Sequence, residues 1–87
     1  MTGPDEVVPI VVYTAPGCPH CRAAVEDLRR RRVRFREVDV ATDREGLERL
    51  LRLTWRRAVP VIADHERVTV GWKGGATPLE ALGIRLP

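Results

Sequence analysis

Cys18 and Cys21 stand two residues apart in the run Thr14-Ala15-Pro16-Gly17-Cys18-Pro19-His20-Cys21, and they are the 2 cysteines of an 87-residue chain. A thiol pair at this spacing can carry out disulfide exchange. The first cysteine, as thiolate, attacks a disulfide; the second attacks the mixed disulfide and releases the reduced product. The thiolate is the reactive form, and a free cysteine has a pKa of about 8.5, so something must favour the anion at Cys18. Pro19 suits the first turn of a helix, because its missing N–H would find no partner there. A helix opening at Pro19 leaves Cys18 at its N-cap, where unpaired N–H groups and the positive end of the helix dipole favour negative charge. The N–H groups of Cys21 and His20 are then placed to donate to the Cys18 sulfur. This reading predicts an exposed Cys18 with a lowered pKa, and a Cys21 one turn inward and less exposed. Other cysteine chemistries fit less well. A structural zinc site needs two further ligands, yet the 2 histidines are His20, inside the motif, and His65. A disulfide-stapled scaffold has more cysteines, more widely spaced.

The chain that must position this pair is 44% hydrophobic and 31% charged, the composition of an ordinary folded domain. Its length fits one domain, residues 1–87, with a core over about 7–83. No apolar run approaches the roughly 20 residues that span a bilayer. The start, Met1 to Glu6, carries acids where a signal peptide carries positive charge, so the expectation is a cytoplasmic protein. The net charge is +3, and Lys73 is the single lysine among 15 basic residues. The densest run, Arg29-Arg30-Arg31-Arg32, continues to Arg34 and Arg36. It reads as a solvated helix C-terminus, where cations complement the dipole. A nucleic-acid surface is not expected, since aromatic residues make up 5% and no recognition motif accompanies the run.

Val7 to Tyr13 reads as a buried strand, with Pro9 near its start. A helix follows over about Pro19 to Arg31, its apolar face made by Ala24, Val25 and Leu28 with Cys21 on the same side. Val33 to Val40 reads as a strand whose alternation changes phase near Glu37. Thr42 and Glu45 form a capping-box pattern that opens a second helix with Leu47, Leu50, Leu51 and Thr54 at helical spacing. Gly46 weakens that helix by roughly 1 kcal/mol relative to Ala. Val59 to Ala63 and Arg67 to Val70 read as a hairpin around Asp64-His65-Glu66. After the glycine-rich Gly71-Trp72-Lys73-Gly74-Gly75, Thr77-Pro78-Leu79-Glu80 offers a cap, a proline at the first position and an acid in the first turn of a short last helix. The order is β-α-β-α-β-β-α. A helix between the first two strands makes them parallel, by a right-handed crossover, and the hairpin is antiparallel. The fold class is α/β, one mixed four-stranded sheet flanked by helices.

Tyr13-Thr14 followed by Cys18-Pro19-His20-Cys21, with Val59-Pro60 opening the third strand and Gly71-Trp72 further on, resembles the glutaredoxins and the related NrdH-type redoxins. The resemblance runs from about Val7 to Gly83. It implies a thioredoxin fold with strand order 2-1-3-4, and a cis peptide bond between Val59 and Pro60 beside the thiols. It implies a dithiol–disulfide oxidoreductase acting on protein or low-molecular-weight disulfides, with Cys18 and Cys21 catalytic. Val59, Pro60, Gly71, Trp72 and Arg57 are the expected substrate contacts. Pro19 fixes the turn and, with His20, tunes the redox couple; the Pro-His pair resembles that of the oxidant DsbA, and a cationic imidazole near the thiolate favours the reduced form.

The chain departs from the glutaredoxins at their glutathione contacts. Ala15 stands where a lysine is common, and Lys73, Gly74 and Gly75 stand where an acid follows the glycine pair. The electron donor is therefore either thioredoxin reductase or glutathione, the latter as a co-substrate, with no tightly bound cofactor and no metal. The expected partners are disulfide-containing proteins, with no membrane or nucleic acid, and the expected state is a monomer. The alternative function is a metal- or iron–sulfur-binding redox adaptor sharing an ion between two copies through Cys18. For Trp55 the expectation is packing under the loop before Pro60; for Trp72, groove and core are equally open.

Overall fold

The computed structural model describes residues 10–86. The expected first strand begins at Val7, so its first three residues lie outside the described ones. Strand β1 is Val11–Thr14, and it is buried on both sides: Val12 faces helix α1 (Pro19–Arg30), while Tyr13 faces the opposite layer. Helix α1 presents Cys21, Ala24, Val25 and Leu28 as one buried stripe, the i, i+3, i+4, i+7 spacing of a helix with one covered face. It stops at Arg31, after which Arg32 takes a left-handed φ of 59°.

Strand β2 (Arg36–Asp39) runs parallel to β1, with Tyr13 opposite Val38 and Thr14 opposite Asp39. It is shorter than the expected Val33–Val40. Val33 and Phe35 still pack on the α1 side with Val12, Val25 and Leu28, while Val38 and Val40 pack on the other side. The change of phase is thus plain alternation in a segment covered on both faces. It turns Glu37 to the same side as Val12 and Thr14.

Helix α2 is Arg44–Leu53, capped by Asp43, whose Oδ1 accepts from the Gly46 N–H at 2.8 Å. The cap is therefore not Thr42, whose hydroxyl donates to the Asp39 carbonyl at 3.4 Å. Asp43 immediately precedes the first helical residue, so its carboxylate meets the orphan N–H of Gly46 in the first turn. Gly46 has a role that its low helix propensity hides. It is buried, and a Cβ there would run into Val38 Cγ1, so its bare backbone lets α2 lie close on β2.

Pro60 divides the expected third strand. β3 (Ala58–Val59) and β4 (Val61–Ala63) flank it, and the Val59–Pro60 bond is cis. β4 joins β1 antiparallel, and β5 (Val68–Val70) joins β4, so the main sheet has the order β2-β1-β4-β5. Counting β3 and β4 as one, this is the 2-1-3-4 order that the resemblance implies. The hairpin turn is held by Asp64 Oδ1, which accepts from the N–H groups of Glu66 and Arg67, both at 2.7 Å.

The end of the chain differs from the expectation. Thr77–Pro78 is not the start of a helix but a short strand, β6, paired antiparallel with β3. The helical turn after it is a 3₁₀ turn over Leu79–Leu82 with no side-chain cap. Its Leu79 is fully buried among Leu50, Val59 and Val61. Trp55 packs under nothing, being 88% exposed. Helix α1 covers one face of the sheet; α2 and the 3₁₀ turn cover the other.

Candidate active site

Cys18 sits between the end of β1 and the first turn of α1, as its N-cap, in an extended conformation (φ −98°, ψ 106°). Of the two amides expected to reach its sulfur, that of Cys21 does, donating at 3.1 Å. The Cys18 sulfur is 3.8 Å from the Val59 carbonyl oxygen and 3.5 Å from Thr77 Oγ1, and its single S–H can donate to either. Both cysteines are free thiols. Cys18 is not exposed as expected: it retains 4% of its surface, against 3% for Cys21. The long-range partners that close over its sulfur, Val59 and Thr77, account for this. Burial, reinforced by the neighbouring Cys18 sulfur, pushes the Cys21 thiol well above its ordinary value, with the Glu37 charge adding in the same direction.

Thr77 is the site residue that sequence reasoning missed, because its local signal reads as a helix cap. Three features place it there. The Gly71 N–H donates to the Pro60 carbonyl at 2.7 Å, which fixes the end of the hairpin beside the proline. The chain then reverses through Lys73 and Gly74, at φ values of 50° and 83°, while Trp72 and Gly75 exchange N–H···O bonds of 2.7 and 2.9 Å. Two central residues at positive φ match a type I′ hairpin turn. Beyond it, β6 sets Thr77 opposite Val59. The Leu79 N–H bonds the Arg57 carbonyl at 2.8 Å, so two residues along, Val59 and Thr77 form the next hydrogen-bonded pair of the ladder. The Val59 backbone is therefore engaged by this chain's own Thr77.

The glycine that meets the cysteine motif is Gly75. A Cβ there would run into the His20 ring, so the imidazole packs against that backbone. The turn is tied to α1 by Lys73 Nζ, 3.4 Å from Asp27 Oδ2. Arg30 and Arg31 also meet Asp27, at 3.2 and 3.5 Å.

The structure thus gathers Cys18, Pro19, His20, Cys21, Val59 and Pro60 in one place, with Gly71 against Pro60. Trp72 packs half-buried with Val12, Val25 and Leu28. Arg57 contributes a backbone carbonyl to the β3–β6 pairing, and its side chain is exposed. Beside the thiols lies a groove of about 730 Å³, bounded by Thr14, Cys18, Cys21, Glu26, Glu37 and Asp39 among others.

A mixed sheet of this order, with a reduced Cys-x-x-Cys pair capping the first helix beside a cis-proline, defines a thioredoxin-fold protein of thiol redox chemistry. The sequence model of the family described as Glutaredoxin matches residues 10–68, and the chain belongs to that family. It is 33% identical over 63 residues to an uncharacterized glutaredoxin-like 8.6 kDa protein of the rubredoxin operon of Clostridium pasteurianum, covering 72% of this chain and 84% of that one. Among solved structures it is similar to the thioredoxin-like protein BC3987, with a TM-score of 0.68 at 31% identity over 85% of this chain and 94% of that one. A glutaredoxin from Archaeoglobus fulgidus shares the fold, with a TM-score of 0.67 at 22% identity over 82% and 89% of the two chains.

Proposed function

We propose that this protein is a dithiol–disulfide oxidoreductase that reduces protein or low-molecular-weight disulfides, with Cys18 as nucleophile and Cys21 as resolving thiol. The observation that carries this reading is the Cys21 N–H held 3.1 Å from Cys18 Sγ at the opening of α1. Charge on that sulfur meets an N–H donor, the positive end of a helix and, on rotation of its hydroxyl, Thr77. The Cys18 thiolate attacks one sulfur of a substrate disulfide, forming a mixed disulfide and expelling the other sulfur as a thiolate. Cys21 then attacks Cys18, forming the Cys18–Cys21 bond and releasing the second substrate sulfur. The protein leaves oxidised by two electrons and must be re-reduced.

Steady-state turnover of a model disulfide with two electron supplies side by side tests the reading: NADPH with thioredoxin reductase, and NADPH with glutathione and its reductase. Turnover in either arm that disappears in Cys18→Ser supports it. Turnover confined to the first arm makes Ala15 and Lys73 consequential departures from glutathione use. Turnover confined to the second assigns the missing contacts to other groups, Arg57 first. No turnover in both arms, or full dithiol activity in Cys18→Ser, overturns the assignment.

A further inference from the structure

Resolution of a mixed disulfide needs Cys21 as a thiolate, yet this thiol is buried at 3% exposure and held protonated. Part of that resistance comes from the Cys18 sulfur, and it goes once Cys18 is bound in a mixed disulfide. What remains is burial, and a proton that must leave. On the Val59 side, the sulfur of Cys18 is closed in by the Val59 carbonyl and Thr77. Cys21, like Cys18, also borders the groove between α1 and the ends of β1 and β2.

Three carboxylates border that groove, and they differ. Asp39 is occupied as a turn acceptor, its Oδ1 taking the Ala41 N–H at 2.9 Å. Glu26 lies exposed on α1. Glu37 is exposed as well, but its carboxylate is held in place: its Oε2 accepts the hydroxyl of Thr14 at 2.8 Å, and Thr14 is itself buried. Its Oε1 has Arg29 at 3.9 Å, too far for a hydrogen bond, and so keeps acceptor capacity. The groups around it are Thr14 from β1; Cys21, Arg22, Glu26 and Arg29 from α1; Arg34 before β2; and Asp39 from β2 itself.

We propose that Glu37, oriented by Thr14, accepts the Cys21 proton across this groove when the mixed disulfide is resolved. The inference rests on Cys21 being the resolving thiol. The step balances as follows. The proton passes from the Cys21 S–H to the Glu37 carboxylate through solvent in the groove. The Cys21 sulfur forms a bond to Cys18 Sγ, and the bond from Cys18 to the substrate sulfur breaks. The electron pair leaves on the product thiolate, and Glu37 returns the proton to solvent or to that thiolate.

The physics makes this testable, because Glu37 acts on Cys21 in two opposing ways. As a negative charge it disfavours the thiolate; as a base it removes the proton. Glu37→Gln keeps shape and an acceptor for Thr14 while abolishing both charge and basicity. The reduced protein is mixed with a stoichiometric amount of dithiobis(nitrobenzoate) in a stopped-flow instrument. Attack by Cys18 releases one chromophoric thiolate, and attack by Cys21 on the mixed disulfide releases the second. In Glu37→Gln the second phase is expected to slow on the order of 100-fold, with the acid limb of its pH profile lost. Glu37→Asp should recover part of the rate and keep the limb. A second phase in Glu37→Gln as fast as in the native protein, or faster, shows that Glu37 is only an electrostatic obstacle and overturns the proposal. The first phase reports on Cys18 alone and on folding. Its absence from the native protein would sink the oxidoreductase reading, and this inference with it.

Discussion

The hydroxyl of Thr77 lies 3.5 Å from the sulfur of Cys18, across 59 residues of sequence. While Cys18 is a thiol, its S–H can donate to Thr77 Oγ1, the nearer of its two acceptors. Once it is a thiolate, the hydroxyl can turn and donate to the sulfur, adding a third stabilising partner to the Cys21 amide and the helix end. Thr77→Val keeps the shape and the β6 pairing but removes the donor. A hydrogen bond of this length is worth about 1 kcal/mol, so alkylation of Cys18 by iodoacetamide at neutral pH should slow about fivefold. Thr77→Ser should restore it. Equal rates in Thr77→Val and the native protein would make the contact incidental.

Cys21 has a linked stability signature. Its folded-state affinity for the proton is raised, chiefly by burial. Between the unfolded and folded pKa the native state therefore holds more protons than the unfolded state, and stability falls as pH rises. The contribution is whole below the unfolded value of about 8.5 and declines above it, by at most about 1.4 kcal/mol per pH unit. Urea unfolding of the reduced protein from pH 7 to pH 10 should show this decline, and Cys21→Ser should flatten it. A decline that persists unchanged in Cys21→Ser would assign it to other groups.

His20 and Gly75 should behave as a coupled pair. An alanine at Gly75 displaces the imidazole, which can swing outward, so the stability loss should be small, about 1 kcal/mol. The reduction potential of Gly75→Ala should instead shift with that of His20→Ala, and the double variant should add nothing further. Additive shifts would show that the contact does not govern how His20 acts.

The ion pair of Lys73 with Asp27 ties the type I′ turn to α1. The lysine is largely exposed, so Lys73→Ala should cost no more than about 1 kcal/mol in global stability. It should nevertheless loosen the turn that delivers Thr77, and amide exchange at Trp72 and Gly75 should quicken more than exchange in β1. Uniform quickening would mean that the pair stabilises the fold without holding this loop.

Gly46 gives a test of packing against propensity. Helix propensity alone predicts that Gly46→Ala gains roughly 1 kcal/mol. The Cβ would meet Val38 Cγ1, so the expected result is a loss of about 1–3 kcal/mol in urea unfolding. Val38→Ala, which opens space at that contact, should reduce the loss when combined with Gly46→Ala.

Much of this protein is legible in its sequence because the signals are local. Cys18-Pro19-His20-Cys21 places a thiol pair at the opening of a helix, and the Cys21 amide does reach the Cys18 sulfur. The apolar run of β1, the stripe of α1 and the alternation of the hairpin mark out the elements, while the order found for the sheet is the one that the resemblance to the glutaredoxins implies. What tertiary structure decided are contacts whose partners lie far apart in sequence or share no periodicity. Cys18 is buried because Val59 and Thr77 converge on it from two strands that pair only in the folded chain. Thr77-Pro78 has the local chemistry of a helix start, and pairing with Ala58–Val59 overrides it. Gly46 reads as a weak point of its helix and Gly75 as one glycine of a loop, until Val38 and His20 occupy the space their missing side chains leave. Glu37 reads as a charged strand residue, and only the parallel register of β1 and β2 brings it to Thr14 and the edge of the Cys21 groove. Local propensity and spacing set which segments form and where the thiols start; long-range pairing and steric fit set what surrounds them.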